Sequence, residues 1–391
     1  MNLMAQPVPL EPVPDVAPFA ATPFAWIDPA AIPARDFLYG RHLVRGFVSV
    51  TVAAGGVGKT SLIVSEAVAM ASGRNLLNEW VKGPLCTWLM NLADPQDELQ
   101  RRVTAAMLHH SVTPEDLGGR LFVDSGRARG LCIAAQDRNG VTINRPEVEA
   151  LVAEITARRL DVVTIDPFVS SHRVGENDNG AIDAVAKEWG RVAERCGCAI
   201  ELVHHLRKTG GEEATTEAAR GAVALLGAAR SARVLNRMTP EQMAAWGFPP
   251  GDTTTLFSID RDKANLAPAG RRVWRRIAAV ELANGDSVAA VEAWAPPNDF
   301  DGVETADLLA VQRAVAAACE ADRHPSLNAQ ARGWVGQIVA DTLGLDPETD
   351  RKRIGRMVAT WVRNGAFREV QIEDEKRKPR PCLEVAEWAT E

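Results

Sequence analysis

The eight residues Ala53-Ala54-Gly55-Gly56-Val57-Gly58-Lys59-Thr60 constrain this chain more than any other stretch of it. They follow an apolar, β-branched run, Phe47 to Val52, and they precede an apolar helical stretch from Ser61. Between a strand and a helix, glycines let backbone amides approach a bound anion in conformations that a side chain forbids. A lysine and a threonine at the mouth of the helix add one ammonium and one hydroxyl. The run therefore reads as a cradle for the phosphates of a nucleoside triphosphate. Gly55, Gly56, Val57, Gly58, Lys59, Thr60 and Ser61 hold the nucleotide, and the Thr60 hydroxyl ligates magnesium. ATP and Mg2+ are the cofactors this implies. The usual first glycine of such a loop is Ala53 here.

The surroundings of the loop specify an α/β fold. From Gly46 onward, short apolar runs alternate with amphipathic helical stretches, the pattern of βαβ units feeding a mostly parallel central sheet. The runs predict strands over Phe47–Val52, Cys86–Asn91, Leu121–Asp124, Val162–Asp166 and Ala199–His204, with Ala232–Leu235 next to them. Residues 145–159 carry apolar positions at three- and four-residue spacing behind Pro146, which predicts a surface helix. Between Thr253 and Trp294 the period changes to two, with Asn284-Gly285-Asp286 as a hairpin turn, so antiparallel strands close the sheet. The expected organisation is a Pro/Ala-rich disordered tail over 1–24, a nucleotide-binding domain over 25–295, a linker over 296–302 and a second domain over 303–391.

Composition narrows the class. Of 391 residues, 46% are hydrophobic and 24% charged, ordinary for a globular protein of two or three domains. No stretch reaches the length of a membrane helix and the N-terminus lacks a basic-then-apolar leader, so the expectation is a cytoplasmic protein with no membrane partner. Six scattered cysteines suggest neither a zinc site nor a disulfide framework. A net charge of −7 confines any nucleic-acid contact to a local face.

Two carboxylates stand at strand ends. Leu160 to Asp166 is an apolar strand ending in Asp166, placed to hold a magnesium-bound water, or alternatively to cap the turn at Pro167. The second strand runs into Asn91-Leu92-Ala93-Asp94-Pro95, where Asp94 either orients the attacking water or caps the helix behind Pro95.

Taken in order, several pieces resemble the RepA-like hexameric helicase ATPases of plasmids and phages, which carry a RecA-type P-loop core. They are Gly55 to Thr60; Asp94-Pro95 with Arg101-Arg102; Ile165-Asp166-Pro167-Phe168 with Glu176-Asn177-Asp178; Val203-His204-His205 followed by Lys208; and Arg220-Gly221 followed by Arg230. The resemblance covers about residues 25–270. It implies a homo-oligomeric, hexameric ring with ATP sites between neighbours and His204 as a γ-phosphate sensor coupled to the loop that follows, where Lys208 faces either single-stranded or forked DNA or solvent. Arg230 would be the cation reaching a neighbour's phosphates, with Arg220, Arg261 and Lys263 as competitors. Relatives carry Glu-Asp-Pro where this chain has Ala93-Asp94-Pro95. Either Asp94 takes over as catalytic base, or the chain binds nucleotide better than it cleaves it.

Residues 303–390 read as three helices and a hairpin, resembling a winged helix. Asp350 to Asn364 is amphipathic, with Ile354, Met357, Val358 and Trp361 inward and Arg351, Lys352, Arg353 and Arg356 outward as DNA-binding candidates. The combined expectation is an ATP-dependent DNA helicase or translocase of phage or plasmid replication, with catalytic residues Lys59, Asp94, Asp166, His204 and Arg230. The alternative is a nucleotide-gated DNA-binding regulator or helicase loader with weak hydrolysis.

Overall fold

The computed structural model describes residues 20–206, 223–249, 251–264, 266, 272–296, 298–373 and 379–390. In chain order its elements are β1 (Phe37–Tyr39), β2 (Leu43–Val44), β3 (Val48–Ala54), α1 (Lys59–Ser72), β4 (Thr87–Asn91), α2 (Gln96–His109), α3 (Pro114–Leu117), β5 (Leu121–Ser125), β6 (Ala134–Asp137), β7 (Gly140–Ile143), α4 (Arg145–Arg158), β8 (Val162–Asp166), β9 (His172–Arg173), α5 (Asn179–Cys196) and β10 (Ala199–Leu206). Then follow α6 (Val223–Ala228), β11 (Ser231–Arg237), α7 (Pro240–Ala245), β12 (Thr255–Ala264), β13 (Val273–Glu281), β14 (Ser287–Trp294), α8 (Thr305–Glu320), α9 (Val335–Leu343), α10 (Arg351–Arg363), β15 (Phe367–Glu373) and β16 (Pro379–Val385).

A nine-stranded sheet organises the chain, in the order β14-β13-β12-β11-β3-β10-β8-β4-β5. The six strands from β11 to β5 run parallel, and β12, β13 and β14 extend the sheet antiparallel. Parallel strands are buried on both faces, which is why their sequences are continuous apolar runs rather than alternating ones. Helices α1 and α2 cover one face, where Ile63, Val64 and Val68 pack with Leu89, Ala106 and Val203. Helices α4, α5 and α6 cover the other, where Leu151, Ile155, Val185 and Trp189 meet Val50, Val163 and Ile200. This is the mostly parallel α/β architecture of a RecA-like P-loop core.

Local signals fix the helix ends. The Asp178 side chain accepts from Ala181 N at the start of α5, and Gly197 ends that helix in the left-handed region. Helix α4 bears Pro146 in its first turn and buries only Val148, Leu151 and Ile155. Residues 20–36 lie outside the sheet, with Phe24 87% and Trp26 78% exposed.

Helices α8, α9 and α10 and the β15–β16 hairpin share a core of their own, built from Val311, Val315, Val335, Val339, Ile354, Met357, Trp361, Phe367 and Leu383. This is the small winged-helix-like C-terminal domain. Among the described residues, no helix is long and apolar enough to cross a membrane.

Candidate nucleotide site

The site lies at the carboxyl ends of the parallel strands, the edge where open α/β sheets bind ligands. β3 runs straight into the loop 55–58, and α1 begins at Lys59. Gly56 and Gly58 sit at φ +78° and +109°, a region that L side chains rarely adopt. A Cβ on Gly58 would also stand 2.8 Å from the Ile277 Cδ1 of β13, so the antiparallel extension closes the underside of the loop. Gly55 and Gly56 are exposed, with room above them.

Lys59 is buried, at 4% exposure, and its Nζ donates to Ala53 O at 3.0 Å and to Ala54 O at 2.9 Å. Among the described residues no carboxylate lies within ion-pairing distance, so burial outweighs the distant pull of Asp166 and lowers the ammonium to a pKa of about 8. An ammonium held by carbonyls alone is poised to exchange them for phosphate oxygens.

Thr60 and Asp166 meet. β10, which lies between β3 and β8, carries His204 opposite Val52, while Asp166 ends β8 and accepts from Thr60 Oγ1 at 2.8 Å. Asp166 is 1% exposed; burial raises its pKa, Thr60 and Lys59 oppose that, and Asp94 adds to it. Its carboxylate faces the P-loop, and no side chain caps the short helix after Pro167. One hydroxyl beside one carboxylate is an oxygen set that suits Mg2+, which keeps waters and phosphate oxygens as its other ligands. Thr60 would bind the ion directly and Asp166 through water. No group of three or more His, Cys, Asp or Glu among the described residues forms a separate metal cage.

Asp94 lies on the neighbouring strand end, half-buried. It does not cap: the cap position of α2 is Pro95, without a side-chain hydrogen bond, and the Asp94 carboxylate pairs with Arg102 at 3.4 Å. Ser125 Oγ donates to Asp94 O at 2.6 Å and Arg127 Nε to Ala93 O at 2.7 Å, which pins this loop from the β5 side. Asn91, which the sequence reading passed over as the end of a strand, bridges the loop and Asp166. Its Nδ2 donates to Asp166 Oδ2 at 3.2 Å, and its Oδ1 accepts from Ala93 N and Asp94 N. A cleft of about 410 Å³ lined by Ser61, Glu98, Arg101, Arg102 and Asp286 opens beside the loop.

His204 is buried, and its Nδ1 has no partner among the described residues. Burial and then Lys59 lower its pKa, so it is neutral at pH 7. It stands 6.2 Å from Phe168, whose ring is 4.6 Å from His172.

Arg230 is not part of this cluster. It precedes β11, whose Ser231 pairs with Ser49 near the start of β3, so it lies at the opposite end of the sheet. It is exposed, with no side-chain ion pair among the described residues. Arg261 pairs with Glu79. Lys208 and Arg220 lie outside the described residues, as does the side chain of Lys263.

Arg351, Lys352, Arg353 and Arg356 of α10 are all engaged within the chain. Arg356 holds the Asp299 carboxylate through Nε at 2.9 Å and Nη2 at 2.7 Å, and Arg353 donates to Asp299 O and Asp301 O at 2.9 and 2.6 Å. Lys352 Nζ reaches Ala244 O at 3.2 Å, and Arg351 donates to Ala329 O. Arg351 also lies over the Trp334 ring at 5.2 Å.

A layer of buried charge backs the site. Arg233 of β11 binds both oxygens of Glu66 on α1 at 2.6 Å and Glu201 of β10 at 3.0 Å. Glu201 also accepts from Thr51 and lies 3.0 Å from His42 Nε2. Burial alone would raise Glu201; Arg233 and His42 outweigh it and bring its pKa to about 2. The network ties the P-loop helix to the strands on both sides of β3. The family model of an AAA domain, AAA_25, matches residues 13–211, a span that takes in the P-loop, Asp94, Asp166 and His204. The chain belongs to this family of P-loop NTPases.

Proposed function

We propose that this protein is a cytoplasmic, Mg2+-dependent ATPase that works on DNA as a hexameric ring, a helicase or translocase of phage or plasmid replication. The observation that carries the ATPase part is the joint placement of a buried, carbonyl-held Lys59 and a Thr60 hydroxyl 2.8 Å from Asp166. In this reading Lys59 neutralises the β- and γ-phosphates and Asp94 orients the attacking water. His204 reports the γ-phosphate. Arg230, at the far end of its own sheet and exposed, serves a neighbour's nucleotide. The DNA part rests on the resemblance and on the cationic helix α10, whose arginines exchange Asp299 for DNA phosphates.

A second reading, a nucleotide-gated regulator or helicase loader with little turnover, is favoured by Ala93, which stands where relatives of this kind carry the catalytic glutamate. ATPase and strand-displacement assays with forked DNA separate the two. The helicase reading expects DNA to stimulate turnover and the strand to be displaced. DNA bound without stimulation or displacement rejects it in favour of the regulator.

A further inference from the structure

Asn91 is an unusual residue to end a central strand. Asparagine is disfavoured in strands, and an amide at 1% exposure is costly unless every polar atom is satisfied. Here each one is used. β4 pairs with β8 and β5, so that Asn91 stands opposite Asp166 on one side and Ser125 on the other. Toward β8, its Nδ2 donates to Asp166 Oδ2 at 3.2 Å, and the next amide, Leu92 N, donates to Asp166 O at 2.6 Å. Toward the loop, its Oδ1 accepts from Ala93 N at 3.0 Å and from Asp94 N at 2.7 Å. One planar amide thus spans the strand end that carries the metal-facing carboxylate and the turn that carries Asp94.

The direction of these bonds matters. Thr60 Oγ1 and Asn91 Nδ2 both donate to Oδ2 of Asp166, and Oδ1 would be the oxygen that takes a metal-bound water. The Thr60 hydroxyl spends its proton on Asp166 and keeps its lone pairs for the ion. A carboxylate clamped in this way loses little freedom when the ion arrives, the role that outer-shell donors play around metal sites. We infer that Asn91 is a positioning residue that locks Asp166 and the Asp94 turn into one unit for the magnesium-bound triphosphate. This rests on the nucleotide-site reading above and adds to it the residue that couples its two carboxylates.

The test compares nucleotide binding with and without metal in the full-length chain. ATPγS is titrated in EDTA and in excess Mg2+, and the gain in affinity that Mg2+ confers is recorded for wild type, Asn91→Leu and Asn91→Thr. Leucine keeps the branched shape at a larger volume and removes both sets of side-chain bonds. A threonine hydroxyl still accepts from the turn amides but falls short of Asp166. The expected result is a Mg2+-conferred gain reduced about tenfold in Asn91→Leu, with metal-free affinity within about twofold of wild type. Where turnover is measured, kcat falls and KM stays near its original value. Asn91→Thr behaves as Asn91→Leu in the metal gain, and it carries the test should the leucine variant not fold. A gain that is unchanged in a folded variant, or metal-free affinity lost to the same extent, overturns the inference and leaves the nucleotide site standing. A wild-type chain with no Mg2+-conferred gain overturns both.

Discussion

Lys59 shows how a residue proposed to bind phosphate can oppose the fold that carries it. The unfolded lysine titrates near 10.5 and the folded one at about 8, so between these values the unfolded chain holds more protons. Burial of the ammonium therefore costs stability in full below pH 8, and that cost fades as the pH rises toward 10.5. Replacing Lys59 by Met removes it, and the nucleotide-free protein is expected to gain about 1–2 kcal/mol in chemical denaturation at pH 7, where most core substitutions lose stability. The same titration reaches the ligand. Wild-type affinity for ATP should hold up to pH 8 and weaken above it as the ammonium is lost, which a titration series from pH 7 to 9.5 will measure. Asp94 carries a separate expectation. With the glutamate position occupied by Ala93, Asp94→Asn should lower kcat by about 100-fold while ATPγS affinity changes little, if Asp94 orients the water. Equal kcat in the variant would assign turnover elsewhere.

At the scale of elements, the P-loop helix is held by charge as much as by apolar packing. Glu66 on α1 and Glu201 on β10 are both bonded to Arg233 on β11, and all three are at most 2% exposed, so neutralising Glu66 strips Arg233 of one buried counter-charge and removing Arg233 strips both carboxylates of theirs. Glu66→Gln or Arg233→Met should cost about 3–5 kcal/mol in urea unfolding. The histidines add a pH dependence. Burial, then Arg233, lowers His42 to a pKa of about 4, and burial, then His204, does the same to His172. Unfolded histidine titrates near 6.5, so the unfolded chain takes up protons first and stability falls as the pH drops from 6.5 toward 4. Thermal melts at pH 7.5 and 5.0 should differ by several degrees, and His172→Phe should narrow the difference. This network was not legible in the sequence, because a charged residue inside an apolar strand reads as an outward-facing position. The parallel strands were legible, since burial on both faces forces continuous β-branched runs such as Val162 to Ile165; the observed β3 and β10 extend two residues past the expected ends, to Ala54 and Leu206. The small sheet β6-β7-β9 was missed, because Gln136 and Asp137 of β6 are exposed and the strands have little apolar pattern. Within the site, the glycine loop and Asp166 were legible from motif and strand end. Asn91 was not, because its role depends on which strands become neighbours.

Across the whole molecule, the sheet separates two ends of different character. The nucleotide end gathers Lys59, Thr60, Asn91, Asp94, Asp166 and His204, and the opposite end presents Arg230. The C-terminal domain is tethered through α10, whose Arg353 and Arg356 grip Asp299 in the segment that leads into it. If those arginines bind DNA phosphates, Asp299 is their internal competitor. Asp299→Ala should then tighten DNA binding a few-fold, and Arg356→Ala should weaken it and reduce the slope of log affinity against log salt by about 1, both read by fluorescence anisotropy. The proposed function requires a triphosphate at the loop after β3. The most direct measurement is calorimetric titration of Mg·ATP into the full-length protein and into Lys59→Ala. The account predicts saturable binding to wild type and a loss of about 100-fold in the variant, whose melting temperature does not fall. Equal affinities for the two proteins would contradict it.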